Sequence, residues 1–160
     1  LRLFDLVAPA WQLTPDDRLM LSWAARLHEL GLTIAHSQYQ VHGAYILAHS
    51  DIAGFSRQEQ EFLAALVRAH RRKVPKNVFE ALPERLLPAA RQLSVLLRLA
   101  VLLHRGHEQP EIPGLDAVAR GTMLELRLPP SYLDERPLLQ ADLAGEPAEI
   151  PALGITLRIG

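Results

Sequence analysis

A mainly helical domain followed by a small α/β unit, with strand–helix–strand order, is the fold class that this 160-residue sequence predicts. Helix caps and apolar residues at helical spacing recur up to about residue 105. Beyond Gly106, Gly and Pro become frequent, and two stretches then alternate between apolar and polar residues, as half-buried strands do. We therefore expect a helical domain over residues 1–110 and a small α+β domain over residues 111–160.

The first complete helix is predicted to begin after Thr14, whose hydroxyl can cap it, with Pro15 at its first position. Apolar residues spaced four apart predict its buried face: Leu19, Trp23 and Leu27, with Met20 and Ala24 beside them. Gly31 is expected to stop this helix, because glycine favours the position after a helix end.

Three further helices complete the first domain. One is expected over residues 39–50, and another starts at a capping box formed by Ser56 and Glu59. The buried face of the latter consists of Phe62, Leu63, Leu66 and Val67. The longest helix, at about residues 89–105, is apolar on much of its circumference and is expected to be central.

The C-terminal unit has strand patterns at residues 122–128 and 154–159, with an amphipathic helix at 131–144 that is interrupted or restarted at Pro137. We expect it to pack on the helices, because it has too few apolar residues to fold alone.

The net charge of −1 provides no global attraction to nucleic acid, so a polyanion site requires local clustering of cations. The absence of Cys excludes disulfides and thiolate chemistry. The apolar stretch 93–103 contains Arg98 and is too short to cross a bilayer, so no membrane span is expected. Since the N-terminus lacks Met and resembles the middle of a helix, we expect a fragment of a longer protein.

Imidazoles and a carboxylate follow the first helix in an order typical of HD-type phosphohydrolases. His28 and Glu29 stand where those enzymes have a His-Asp pair, and His42 lies on the next helix. A metal site is one interpretation. The other is a set of polar residues bonded to each other or to helix ends, and it is favoured because Val101 occupies the late position that requires Asp. We therefore interpret His28, Glu29 and His42 as degenerate HD positions of an HD-like bundle and predict no metal.

A basic cluster lies at the end of the third predicted helix and in the loop after it. Its six members are predicted to bind substrate: Arg68, His70, Arg71, Arg72, Lys73 and Lys76. Two or three cations would be enough to complement a helix C-terminus, and five fixed charges in nine residues exceed that need. Arg and Lys together favour phosphate oxygens, which indicates a polyphosphate-like ligand.

Several runs together resemble the C-terminal region of bacterial exopolyphosphatases, in the family that includes guanosine pentaphosphate phosphohydrolases (Ppx/GppA). These runs are Ala24–Gly31, Ile34–Ser37, His42–Leu47, Ala53–Glu59, Val67–Lys73 and Leu96–Ala100. The opening Leu3-Phe4-Asp5 and the pattern from Leu124 to Ile159 also fit, so the resemblance covers nearly the whole chain.

The resemblance implies a cytoplasmic hydrolase that releases orthophosphate from polyphosphate ends. Its catalytic residues and magnesium lie in N-terminal actin-like domains that are missing here, and no cofactor is expected in this chain. The implied role of this region is to bind the distal polyphosphate chain and to form a homodimer. The alternative is a stand-alone, metal-dependent HD-type nucleotide phosphohydrolase.

Overall fold

The computed structural model describes residues 1–105 and 112–160. Its α-helices are α1 (Arg2–Trp11), α2 (Pro15–Leu27), α3 (Tyr39–His49), α4 (Arg57–Ala69), α5 (Leu87–Leu103), α6 (Pro130–Asp134) and α7 (Pro137–Glu149). Short 3-10 helices occupy Leu30–Thr33, Glu84–Leu86 and Ile150–Leu153. The strands are β1 (Asp116–Arg120), β2 (Met123–Arg127) and β3 (Thr156–Ile159). The predicted fold class, mainly helical with a small α/β unit, is confirmed. The predicted boundary between residues 110 and 111 lies outside the described residues.

Two helices begin where their capping residues predict. The Thr14 hydroxyl accepts a hydrogen bond from the Asp17 amide, and the Asp17 carboxylate accepts one from the Thr14 amide. Ser56 and Glu59 form the same reciprocal pair at the start of α4. These bonds satisfy amides that have no partner inside the helix.

The predicted inner face of α2 is wrong at its start. Leu19 is 57% exposed, whereas Leu21 and Ala24 are buried. Helix α2 packs against both α4 and α5, and the small side chain of Ala24 lets it approach its neighbours closely. Trp23 and Leu27 are consequently only partly buried, at the side of this contact.

The predicted role of Gly31 as a helix stop is also wrong. Helix α2 ends at Leu27, and Gly31 is buried within the following 3-10 helix, which packs on α3. A Cβ atom at Gly31 would lie 1.9 Å from the Tyr39 carbonyl oxygen and 2.6 Å from the Gly43 amide nitrogen. Glycine is therefore required by the close approach of two backbones.

Helix α5 is the central helix of the core, as predicted, and most of its residues are buried. Together with the 3-10 helix before it, it forms the stretch Glu84–Leu103, with 20 residues and a mean hydropathy of 1.6. The prediction that no apolar stretch is long enough to cross a membrane is therefore wrong on length. It is weak evidence of a span, because 56% of it is buried inside the fold, as in the core helix of a globular protein.

The C-terminal sheet has one strand more than the sequence predicts. β1 pairs antiparallel with β2, and β2 pairs parallel with β3. β1 has the sequence DAVAR, whose buried alanines give a weak strand signal. Helix α1 packs against β1, and the Trp11 indole donates a hydrogen bond of 2.9 Å to the Gly121 carbonyl.

The predicted helix over residues 131–144 is present as two helices, α6 and α7, with the restart at Pro137. Helix α7 packs against α5 and extends to Glu149. It thereby reaches the C-terminal end of α4, where the basic cluster lies.

Candidate functional site

The basic loop that follows α4 is shaped by an uncommon backbone conformation. Helix α4 ends at Ala69 with His70 as its C-terminal cap, and Arg72 then adopts a positive φ of 62°. This left-handed conformation turns the chain sharply. The loop therefore presents Arg71, Arg72 and Lys73 at the end of the helix.

Arg98 of α5 lies beneath this loop and is only 2% exposed. Its Nη1 donates to the carbonyl oxygens of Ala69 at 2.8 Å and Arg72 at 2.9 Å. Its Nε and Nη2 donate to the two carboxylate oxygens of Glu146 at 2.9 and 3.0 Å. One buried guanidinium thus joins α5, the basic loop and α7.

Two grooves meet at Arg71 and Arg72. The larger, of about 640 Å³, runs between the loop, α5 and α7. It is lined by His36, Tyr39, Arg71, Arg72, Lys73, Arg98, Leu102, Arg105, Asp142, Gly145, Glu146 and Glu149. The smaller, of about 410 Å³, is lined by His36, Ser37, Gln38, Gln40, Arg71 and Arg72.

Arg71 is held in place between these grooves. Its guanidinium lies 4.3 Å from the centroid of the Tyr39 ring, and its Nη1 donates to Gln40 Oε1 at 3.2 Å. Burial lowers the pKa of Arg71, and the nearby charges of Arg72 and Arg105 act in the same direction. Cations are thus crowded at this point, which favours an anion as the ligand.

Arg72 and Lys73 are exposed and, like Arg71, make no ion pair within the described part of the chain. On the opposite wall, Arg105 pairs with Asp142 at 3.0 Å. Since Glu146 is neutralised by Arg98, most carboxylate charge of that wall is already compensated. The loop side of the groove therefore carries the uncompensated positive charge.

The remaining predicted cations are placed differently. Arg68 is half-buried in the last turn of α4, and Lys76 is exposed beyond Pro75. Neither lines either of the two grooves described above. The structure therefore brings together three of the five fixed cations that the sequence singles out.

His70 is buried beneath the loop and is 2% exposed. Its Nδ1 donates a hydrogen bond to the Val67 carbonyl. Burial lowers its pKa to about 4, and the charges of His28, Arg71 and Arg98 contribute in the same direction. His70 is therefore neutral near pH 7, and it packs against Tyr39 with ring centroids 5.5 Å apart.

His28 packs edge-on against His70, with ring centroids 5.2 Å apart. Its Nδ1 donates to the Ala25 carbonyl at 2.6 Å, and its Nε2 lies 3.5 Å from the Glu29 carboxylate. His42 is half-buried on α3, outside these ring contacts. The described residues contain no group of three or more His, Cys, Asp or Glu that could hold a metal ion.

Sequence reasoning missed Tyr39, Arg98 and Glu146 as parts of this site. A signal was present, because a lone Arg inside an apolar helix needs an acidic partner. Arg98 and Arg105 are seven residues apart in the predicted helix 89–105, which ends at Leu103 in the structure, and Asp142 and Glu146 are four apart on α7. Both spacings place each pair on one helix face, so two ion pairs between the helices could have been inferred.

Residues 1–147 match the family model described as Ppx/GppA phosphatase, domain III. The chain is 30% identical over 160 residues to the guanosine-5'-triphosphate,3'-diphosphate pyrophosphatase of Pseudoalteromonas translucida, covering 99% of this chain and 32% of that protein. It is 33% identical over 154 residues to the protein of the same name from Vibrio campbellii, covering 94% and 30%. The chain thus spans about a third of the length of these curated relatives.

Proposed function

Because the chain belongs to the Ppx/GppA phosphatase family, of which it represents domain III, we propose that its basic loop binds the phosphate chain of the substrate. Three cations that make no ion pair in the described part of the chain, Arg71, Arg72 and Lys73, line one groove, and this observation carries the proposal. Guanidinium groups bind phosphate oxygens in a bidentate manner, and an ammonium group adds a point charge. The substrate is inorganic polyphosphate, whose distal part occupies the groove.

The catalytic step takes place outside this chain. Phosphoryl transfer needs a metal ion and a positioned water, which the resemblance assigns to N-terminal actin-like domains with magnesium. The much greater length of the relatives supports such additional domains. A cytoplasmic homodimer, in which this domain contributes to the interface, completes the proposal.

The six predicted substrate-binding residues divide into two roles. Arg71, Arg72 and Lys73 contact phosphate directly. The neutral His70 supports Tyr39, on which the Arg71 guanidinium stacks. Arg68 and Lys76 add to the local positive potential without lining the groove.

A second candidate substrate is guanosine pentaphosphate, which the names of the relatives favour. It also carries phosphate chains, so the same cations would bind it. The stand-alone HD-type hydrolase has less support, because partly buried Val101 stands where that mechanism requires a carboxylate.

Binding of long-chain polyphosphate to the 160-residue chain, measured by calorimetry at several salt concentrations, tests the proposal. With three phosphate contacts, log Kd should rise with the logarithm of the salt concentration with a slope of about 2, by analogy with single-stranded nucleic acids. Arg71→Glu, Arg72→Glu, Lys73→Glu should weaken binding by more than about 100-fold and keep the helical circular dichroism.

The matched control carries the same change of charge at three residues that line neither groove: Arg26→Glu, Arg120→Glu and Arg158→Glu. It should retain most of the binding. Equal loss in both variants would show that only net charge matters. Release of orthophosphate by the wild-type chain, dependent on His28, would instead support the stand-alone hydrolase.

A further inference from the structure

The buried ion pair of Arg98 and Glu146 also makes hydrogen bonds to the backbone of the basic loop, which pairing of the two charges alone does not require. Arg98 uses one side of its guanidinium for the carboxylate and the other for two loop carbonyls. The carbonyl groups of Ala69 and Arg72 stand before and after residues 70–72, which turn the chain away from α4. The ion pair therefore contacts both ends of the turn.

The two carbonyls have a particular need for a donor. The last carbonyl groups of a helix have no partner inside it, and they form the negative end of its dipole. The other carbonyl belongs to Arg72, which adopts the left-handed conformation that residues other than glycine adopt at a cost. A buried cation that donates to both carbonyls stabilises this otherwise unfavourable turn.

Glu146 makes this arrangement possible. A guanidinium that is 2% exposed needs a partner of opposite charge, because an unpaired buried charge is strongly destabilising. The carboxylate belongs to α7, which forms the opposite wall of the groove. The position of α7 is thus coupled to the conformation of the basic loop.

We propose that Arg98 and Glu146 are positioning residues for polyanion binding. They hold the loop backbone so that Arg71, Arg72 and Lys73 keep fixed positions along the groove. This inference rests on the proposed function of the loop. Arg98 does not serve as a phosphate ligand, because its donors are already directed to protein oxygens. Because Arg98 already orders the loop, the loop loses less conformational entropy when the ligand binds.

The double variant Arg98→Met, Glu146→Leu separates positioning from stability. Apolar replacement of a buried ion pair is often neutral or stabilising, so the fold should persist. Loss of the two donors to the loop should weaken binding of long-chain polyphosphate about tenfold. Amide hydrogen exchange should become faster at residues 70–73 and stay unchanged in α4 and α5.

The matched control is Arg18→Met, Asp5→Leu, which removes an exposed bidentate pair that joins α1 and α2 and touches no loop carbonyl. It should leave binding and loop exchange unchanged. Arg98→Lys keeps the charge without the planar fork, and it provides a second variant if the double variant fails to fold. It should also weaken binding and speed loop exchange.

Unchanged polyphosphate affinity together with unchanged loop exchange in the double variant, or in Arg98→Lys, would overturn the inference. Weaker binding with unchanged loop exchange would also overturn it, because the effect would then not pass through the loop. Failure of the proposed function is a separate result. In that case the wild-type chain does not bind polyphosphate, while the exchange measurement still reports whether Arg98 orders the loop.

Discussion

Replacing Gly31 by alanine should destabilise the domain strongly. Among the glycines of negative φ in the described part of the chain, it is the position where a change to alanine should cost the most. The new Cβ would lie 1.9 Å from the Tyr39 carbonyl oxygen, more than 1 Å inside the 3.0 Å that real Cβ atoms keep. Its neighbours are backbone atoms, which cannot rotate away. The 3-10 helix Leu30–Thr33 must therefore move away from α3.

Overpacking of this kind costs about 2–3 kcal/mol. For a domain of this size, each kcal/mol lowers Tm by about 2–4 °C, so Tm should fall by about 4–12 °C. Thermal unfolding followed by circular dichroism measures the shift. The displacement also moves Tyr39, so binding of polyphosphate should weaken through the stacked Arg71.

The matched control is Gly145→Ala in α7, where no heavy atom outside its own stretch of helix backbone lies within 4 Å of the added Cβ. Alanine is favoured over glycine in a helix by about 0.5–1 kcal/mol, so this variant should melt slightly higher than the wild type. A Gly31→Ala protein that melts within 1 °C of the wild type would refute the packing argument.

Three other outcomes are expected. The pKa of His70 is about 4 in the folded chain, below its ordinary 6.5, so the unfolded chain binds a proton at His70 first as the pH falls. The free energy of unfolding is therefore unaffected by His70 above about pH 6.5 and falls by about 3 kcal/mol towards pH 4. Urea unfolding at several pH values measures this loss, and His70→Phe should remove it; an equal loss in that variant would assign it to other groups. Deletion of residues 112–160 should lower Tm by more than Gly31→Ala does, since it uncovers α1 and α5, and an unchanged melting curve would contradict this packing. Elemental analysis of protein purified without chelator should show well under one equivalent of transition metal, whereas near-stoichiometric metal that is lost in His28→Ala would restore the metal-site interpretation.

Local signals in the sequence are sufficient to predict the starts of α2 and α4. Thr14 and Ser56 specify their caps through partners three residues away, and the apolar spacing of α4 and α5 predicts their burial. The basic loop was visible for the same reason, because its charges are consecutive in the chain. Such features depend on neighbours that the sequence itself places together.

Features that depend on distant partners were missed or misinterpreted. The role of Arg98 depends on Glu146, 48 residues away, and on loop carbonyls that have no sequence signature. The local sequence predicts a helix stop at Gly31, because the close approach of α3 cannot be inferred from it. Leu19 is exposed because the helix face beside it, and not its own face, packs against α4 and α5. The sequence of α2 alone does not decide between these two faces.

The packing of α1 on the C-terminal sheet has a consequence for how the domain folds. Trp11 and Gly121 are 110 residues apart, and helices α2 to α5 lie between them in the sequence. Contacts at such separation form late, because closing a long loop costs entropy that only the completed core offsets. During synthesis, α1 leaves the ribosome long before β1 exists, and the part of its apolar face that β1 covers stays exposed until then. A chaperone that recognises short apolar segments should therefore bind residues 3–11 of the nascent chain before β1 is synthesised.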